Sequence, residues 1–77
     1  MTEKKYIVKV NDSVEHPCEN YGGISTHVMS AQELVDFFQE EMAEHSYQKL
    51  GRHCKSWSAI WSEGLYTYER TITVKEA

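Results

Sequence analysis

Ser30-Ala31-Gln32-Glu33-Leu34-Val35-Asp36-Phe37-Phe38-Gln39-Glu40-Glu41-Met42-Ala43-Glu44 is the stretch on which the fold turns. Ser30 and Glu33 have the spacing of a capping box, in which the hydroxyl accepts the amide of the third helical residue and the carboxylate reaches back to the cap. The expected helix starts at Ala31 and runs to about Leu50, where Gly51 supplies a stop because glycine accepts the left-handed conformation after a helix end. At 100° per residue Ala31, Leu34, Val35, Phe38 and Met42 fall on one stripe, which should face a sheet.

On either side of the helix the period changes to two. Residues 4–10 read as a strand with Tyr6, Val8 and Val10 on one face, and Asn11-Asp12-Ser13 gives a turn signal. Residues 14–23 are polar and contain Pro17 and Gly22-Gly23, so they read as an irregular connection before a second strand over 24–29. After the helix, Trp57, Ala59 and Trp61 alternate with serines and Ile60. Glu63-Gly64 then turns the chain into a long last strand over 65–75, with Tyr66, Tyr68, Ile72 and Val74 on one face and Arg70 among them. Both tryptophans read as core, with an exposed aromatic strip as the alternative.

The expected architecture is α+β, ββαββ, with one helix packed on a mainly antiparallel four-stranded sheet in a single domain spanning 1–77. This element order resembles the β-grasp fold of ubiquitin-like proteins. That resemblance implies that the first and last strands pair in parallel at the centre of the sheet.

Composition bounds the function. The chain has 77 residues, 40% hydrophobic and 12% aromatic, which suits a small soluble domain and not a disordered one. No apolar run reaches the ~20 residues of a membrane helix. Met1 to Tyr6 lack the apolar stretch of a signal peptide, so a cytoplasmic location is expected, with Cys18 and Cys54 as free thiols. Twelve acids against eight bases give a net charge of −4, opposite to the basic excess that phosphate binding requires. Direct nucleic-acid binding and membrane binding are therefore not expected.

The helix carries five carboxylates and no lysine or arginine between Ser30 and Gln48. Glu33, Asp36, Glu40 and Glu44 fall within an arc of roughly 80°, with Glu41 to one side and Phe37 and Tyr47 expected near the same outward face. Five charges over about 16 Å of axis approach the charge spacing of one DNA strand. Two readings compete. Acids at a helix start and Lys49, Arg52 and Lys55 beyond it suit the macrodipole, which makes a solvated face. Alternatively Glu33, Asp36, Phe37, Glu40, Glu44 and Tyr47 bind a protein partner with a basic surface, so that the chain acts as an inhibitor or regulator of a nucleic-acid-binding protein. In size and charge it resembles small acidic phage-encoded inhibitors of host nucleic-acid enzymes.

Other constellations carry less. His16, Cys18, His53 and Cys54 could supply a zinc ligand set for a metal-stabilised structural protein, but adjacent His53-Cys54 lacks the spacing that lets side chains of one turn converge. A Cys18–Cys54 disulfide would need an oxidising compartment. Cys54 beside His53 has no third orienting group, and Gly22-Gly23 makes no phosphate loop, so neither catalysis nor a cofactor is expected. Strand addition along an exposed last strand would allow a homodimer.

Overall fold

The computed structural model describes residues 4–52 and 55–77. The elements are β1 (Lys5–His16), β2 (Glu19–Ser30), α1 (Ala31–Glu44), β3 (Gln48–Lys49), β4 (Ser56–Glu63) and β5 (Tyr66–Glu76). All pairings are antiparallel, and the sheet order is β2-β1-β5-β4-β3. The α+β class is as expected, but among the described residues the sheet has five strands instead of four.

β1 and β5 are neighbours at the sheet centre, yet they are antiparallel, which departs from the β-grasp arrangement. The short β3 accounts for the difference. β2 ends where α1 begins, and the helix returns along the sheet so that His45 lies on Trp61. Gln48 and Lys49 then reverse the chain against Ser58 and Trp57 before β4 starts. One extra reversal inverts β4 and β5, and the last strand arrives antiparallel to the first.

The first hairpin is much longer than its sequence implies. β1 continues through Asn11-Asp12-Ser13 to His16, and the turn is the pair Pro17-Cys18 between His16 and Glu19. The turn signal loses because alternation persists beyond it. Val8, Val10, Asp12, Val14 and His16 share one face, and β5 pairs Asp12 with Arg70, a neutralising partner. Gly22 also permits the regular pairing, since a Cβ there would lie 2.5 Å from the Asp12 carbonyl oxygen. The second hairpin turns through Gly64-Leu65, with Gly64 at φ +61°, a conformation that favours glycine at the first turn position.

The capping box at Ser30 is present, but the helix stops at Glu44. His45 is extended at φ −137° and ψ 152°, and no basic residue lies in the last turn. Tyr47 folds inward instead, where its hydroxyl donates to Glu41 Oε2 at 2.8 Å, and Gln48 and Lys49 join the sheet. Gly51 keeps its positive φ, in the turn after β3.

The core lies between α1 and the central strands. Val8 and Ile72 are wholly buried, with Val10 and Val74 beside them, and Leu34, Phe37, Phe38, Tyr6, Met29 and Trp57 pack around them. The expected stripe of Val35 and Met42 is turned aside, each being 49% exposed, while Phe37 faces the core. The helix is thus rotated roughly 60° from the expected orientation at 100° per residue. Phe38 meets Phe37 and Trp57 edge-on at 5.6 and 4.9 Å. Among the described residues no helix is long and apolar enough to cross a membrane.

Candidate functional site

Each carboxylate of α1 has a distinct environment. Glu33 Oε1 accepts the Ser30 amide at 3.0 Å and Ser30 Oγ accepts the Glu33 amide at 3.2 Å. The amide and hydroxyl of Ser30 hold the Glu33 carboxyl below its usual range, with Lys5 adding a smaller effect in the same direction. One turn on, Asp36 Oδ1 accepts from the Gln32 side chain at 3.1 Å. Glu40 and Glu44 continue the exposed ridge, and Glu44 lies 3.9 Å from His45 Nε2. Among the described residues no lysine or arginine forms an ion pair with Asp36, Glu40 or Glu44.

Glu41 departs from this pattern. Its side chain is only 14% exposed and accepts from Arg70 Nη1 at 2.9 and 3.2 Å. The other side of the guanidinium serves Asp12, with Nε to Oδ1 at 2.6 Å and Nη2 to Oδ2 at 3.5 Å. One cation therefore joins α1 to β1 through β5. Both carboxylates raise the Arg70 pKa, the hydrogen bond with Asp12 most strongly, so the group stays charged throughout the accessible pH range. Burial and the Glu41 hydrogen bond raise the Tyr47 pKa, which keeps the phenol protonated as a donor.

The expected contact aromatics are elsewhere. Phe37 and Tyr47 both pack against the core. Tyr47 is drawn in by Glu41, and Phe37 by the helix rotation that brings Glu41 over Arg70. The structure thus keeps Glu33, Asp36, Glu40 and Glu44 on one outer surface and removes the two rings from it. In their place, half-exposed Val35 and Met42 flank an apolar groove of about 570 Å³ floored by Phe38 and Trp57, with Lys55 at its edge.

Sequence reasoning also missed the Asp12–Arg70–Glu41 link. A signal was present: Asp12 is in phase with Val8, Val10 and Val14, and Arg70 is in phase with Tyr68 and Ile72. Two opposite charges on otherwise apolar strand faces suggest a cross-strand pair.

Beyond the end of α1 the sheet is covered by rings. His45 stacks on Trp61 with centroids 3.7 Å apart, Trp61 on Tyr68 at 5.6 Å, and Tyr68 lies 6.2 Å from Tyr66. His16 completes the series 4.6 Å from Tyr66, and the Arg70 guanidinium carbon lies 5.8 Å from the Trp61 centroid. Trp61 is therefore part of a half-buried stack, while Trp57 belongs to the core as expected.

The residues of the alternative zinc reading divide between two situations. His53 and Cys54 lie outside the described residues. His16 Nδ1 accepts the Cys18 amide at 3.1 Å, and Cys18 has a free, exposed thiol. Among the described residues no group of three or more His, Cys, Asp or Glu side chains is placed to hold a metal ion.

Compared with known protein families, curated proteins and solved structures, the chain matches none.

Proposed function

We propose that this chain is a small interaction module, without catalysis of its own, that binds a basic protein surface through the outer face of α1. Asp36, Glu40 and Glu44 carry the contact, with Glu33 at its start and Val35 and Met42 supplying adjacent apolar area. A partner that normally holds nucleic acid offers the matching cationic surface, and the module would then act as its inhibitor or regulator. Direct binding of nucleic acid does not fit a net charge of −4.

The observation that carries the reading is the contrast within one helix. Glu41, the carboxylate that points inward, has its cation in Arg70, whereas Asp36, Glu40 and Glu44 form no ion pair with a lysine or arginine among the described residues. Uncompensated charge at the surface speeds encounter with an oppositely charged partner and makes the association salt-sensitive.

The test is double charge reversal, Glu40→Lys with Glu44→Lys. Both side chains are exposed, so the circular dichroism spectrum and melting temperature should stay close to those of the parent. Basic nucleic-acid-binding proteins retained from a lysate at low salt should elute at high salt, compete with duplex DNA, and bind the variant at least about tenfold more weakly. Equal retention by parent and variant would exclude the acidic ridge as the binding surface.

A further inference from the structure

The two edges of the sheet are protected to different degrees. On one side the two-residue β3 covers the beginning of β4 and carries Lys49. On the other, β2 is an outermost strand of twelve residues, and nearly all of them are exposed. Its pairing with β1 is unbroken from Lys5↔Ser30 to His16↔Glu19, so no bulge bends it away. Residues 20–30 contain no proline and no Asp, Glu, Lys or Arg. Proline, lysine, bulges and short length are the devices that keep an edge strand from pairing with another chain. β2 has none of them over these eleven residues.

We infer that β2 is a homodimer interface, joining two copies edge to edge in one continuous antiparallel sheet. A second copy is the occupant that the charge distribution favours. The chain is strongly acidic overall, and β2 is the long segment where two copies meet without opposing like charges. Glu19, the one carboxylate of the strand, is at its end, and antiparallel pairing sends the two copies of it to opposite ends of the seam.

Symmetry narrows the register. Antiparallel pairing about a two-fold axis normal to the sheet keeps the faces aligned, so residues opposite each other share parity. A seam centred on Thr26 then sets Ile24 opposite Val28 of the partner subunit, twice. Ile24 and Val28 are 60% and 65% exposed, on the face of the sheet away from α1. Cross-strand pairs of β-branched residues stabilise such a seam, and a threonine pair at the axis adds to it. This also relocates the expected self-association: β5 is paired on both sides, so the last strand cannot be the edge.

An edge seam buries less surface than a standard interface, so a dissociation constant of about 1–100 μM is expected. Sedimentation equilibrium up to about 0.5 mM should therefore show the mass rising from 9.0 kDa toward twice that value. Ile24→Lys with Val28→Lys should abolish the rise while leaving the circular dichroism spectrum unchanged, because both side chains are largely solvated in the monomer. Ile60→Lys is the control. Ile60 is 67% exposed on the same face but lies on β4, so the substitution would break face-to-face packing of two sheets and spare an edge seam. With Cys18→Ser and Cys54→Ser in the background, Thr26→Cys should cross-link to itself under mild oxidation. A monomer at every concentration, a dimer that survives the β2 double variant, or a dimer lost through Ile60→Lys would each overturn the inference.

Discussion

The two halves of the sheet's inner face are covered by different means. Under α1, Val8, Val10, Ile72 and Val74 are closed over by Leu34, Phe37 and Phe38. Beyond α1 the strands β1, β2, β4 and β5 continue, but the helix does not. A helix of fourteen residues is about 21 Å long, whereas a strand of twelve spans about 40 Å. The overhanging half has Trp61, Tyr68, Tyr66 and His16, whose rings cover one another, with His45 joining them to the helix end. One half excludes water with a second layer, and the other does so with wide side chains stacked within a single layer. The comparison teaches that a domain too short for a second helix can extend its sheet if the uncovered strands bear aromatic rings. Arg70, bound to Asp12 and Glu41 and near Trp61, sits at the boundary between the halves.

The largest effect is expected in the covered half. Ile72→Ala leaves a cavity at a wholly buried position and should cost about 2–5 kcal/mol in denaturant unfolding. A domain of this size has a total stability of roughly 4–11 kcal/mol, so the loss should be felt throughout the molecule and appear as a global fall in amide protection. Trp61→Ala attacks the other half. It removes the ring between His45 and Tyr68 and should cost about 2–3 kcal/mol, less than a fully buried tryptophan because the site is half-exposed. Its protection loss should concentrate at residues 12–21 and 59–70 and spare Val8 and Val74. A uniform loss in that variant would mean that the halves are one cooperative unit.

The smallest effect concerns how α1 begins. The folded Glu33 pKa lies below its unfolded value near 4.5, so its contribution is present above that value and lost as pH falls through the folded pKa. Glu33→Gln should therefore lower stability modestly at neutral pH, converge with the parent as pH falls through the folded pKa, and so flatten the acid limb of the stability curve. Thermal melts of parent and variant from neutral pH down to about pH 2 check this. Parallel curves would show that the capping carboxylate is not a titrating contributor.

The sequence made some of this legible. Ser30 and Glu33 announced the helix start because capping is a local interaction. Trp57, Ala59 and Trp61 announced a strand face, and Tyr66, Tyr68, Ile72 and Val74 another, because period two survives any tertiary context. The length of the first hairpin did not show, since Asn11-Asp12-Ser13 has good turn chemistry and only Arg70, 58 residues away from Asp12, makes it a strand. The helix end was hidden for the same reason: Tyr47 is taken from the helix by Glu41, which Arg70 already holds. Of the candidate binding residues, the four carboxylates on the outer face followed from helical spacing alone. Phe37 and Tyr47 depended on how the helix rolls over the sheet, which is set by distant residues.

The position of β5 determines the order in which the molecule can assemble. It is the last of these strands to be synthesised, yet it lies in the middle of the sheet and brings Ile72 and Val74. The β1–β2 and β4–β5 hairpins pair residues near in sequence, whereas the seam between β1 and β5 joins residues up to 70 positions apart, such as Tyr6 and Glu76. A nascent chain that has released β1, β2 and α1 has half a core and nothing to close it against. The core is therefore complete only once the final strand is present, and the β1–β5 seam is the pairing that closes the longest loop in the sheet.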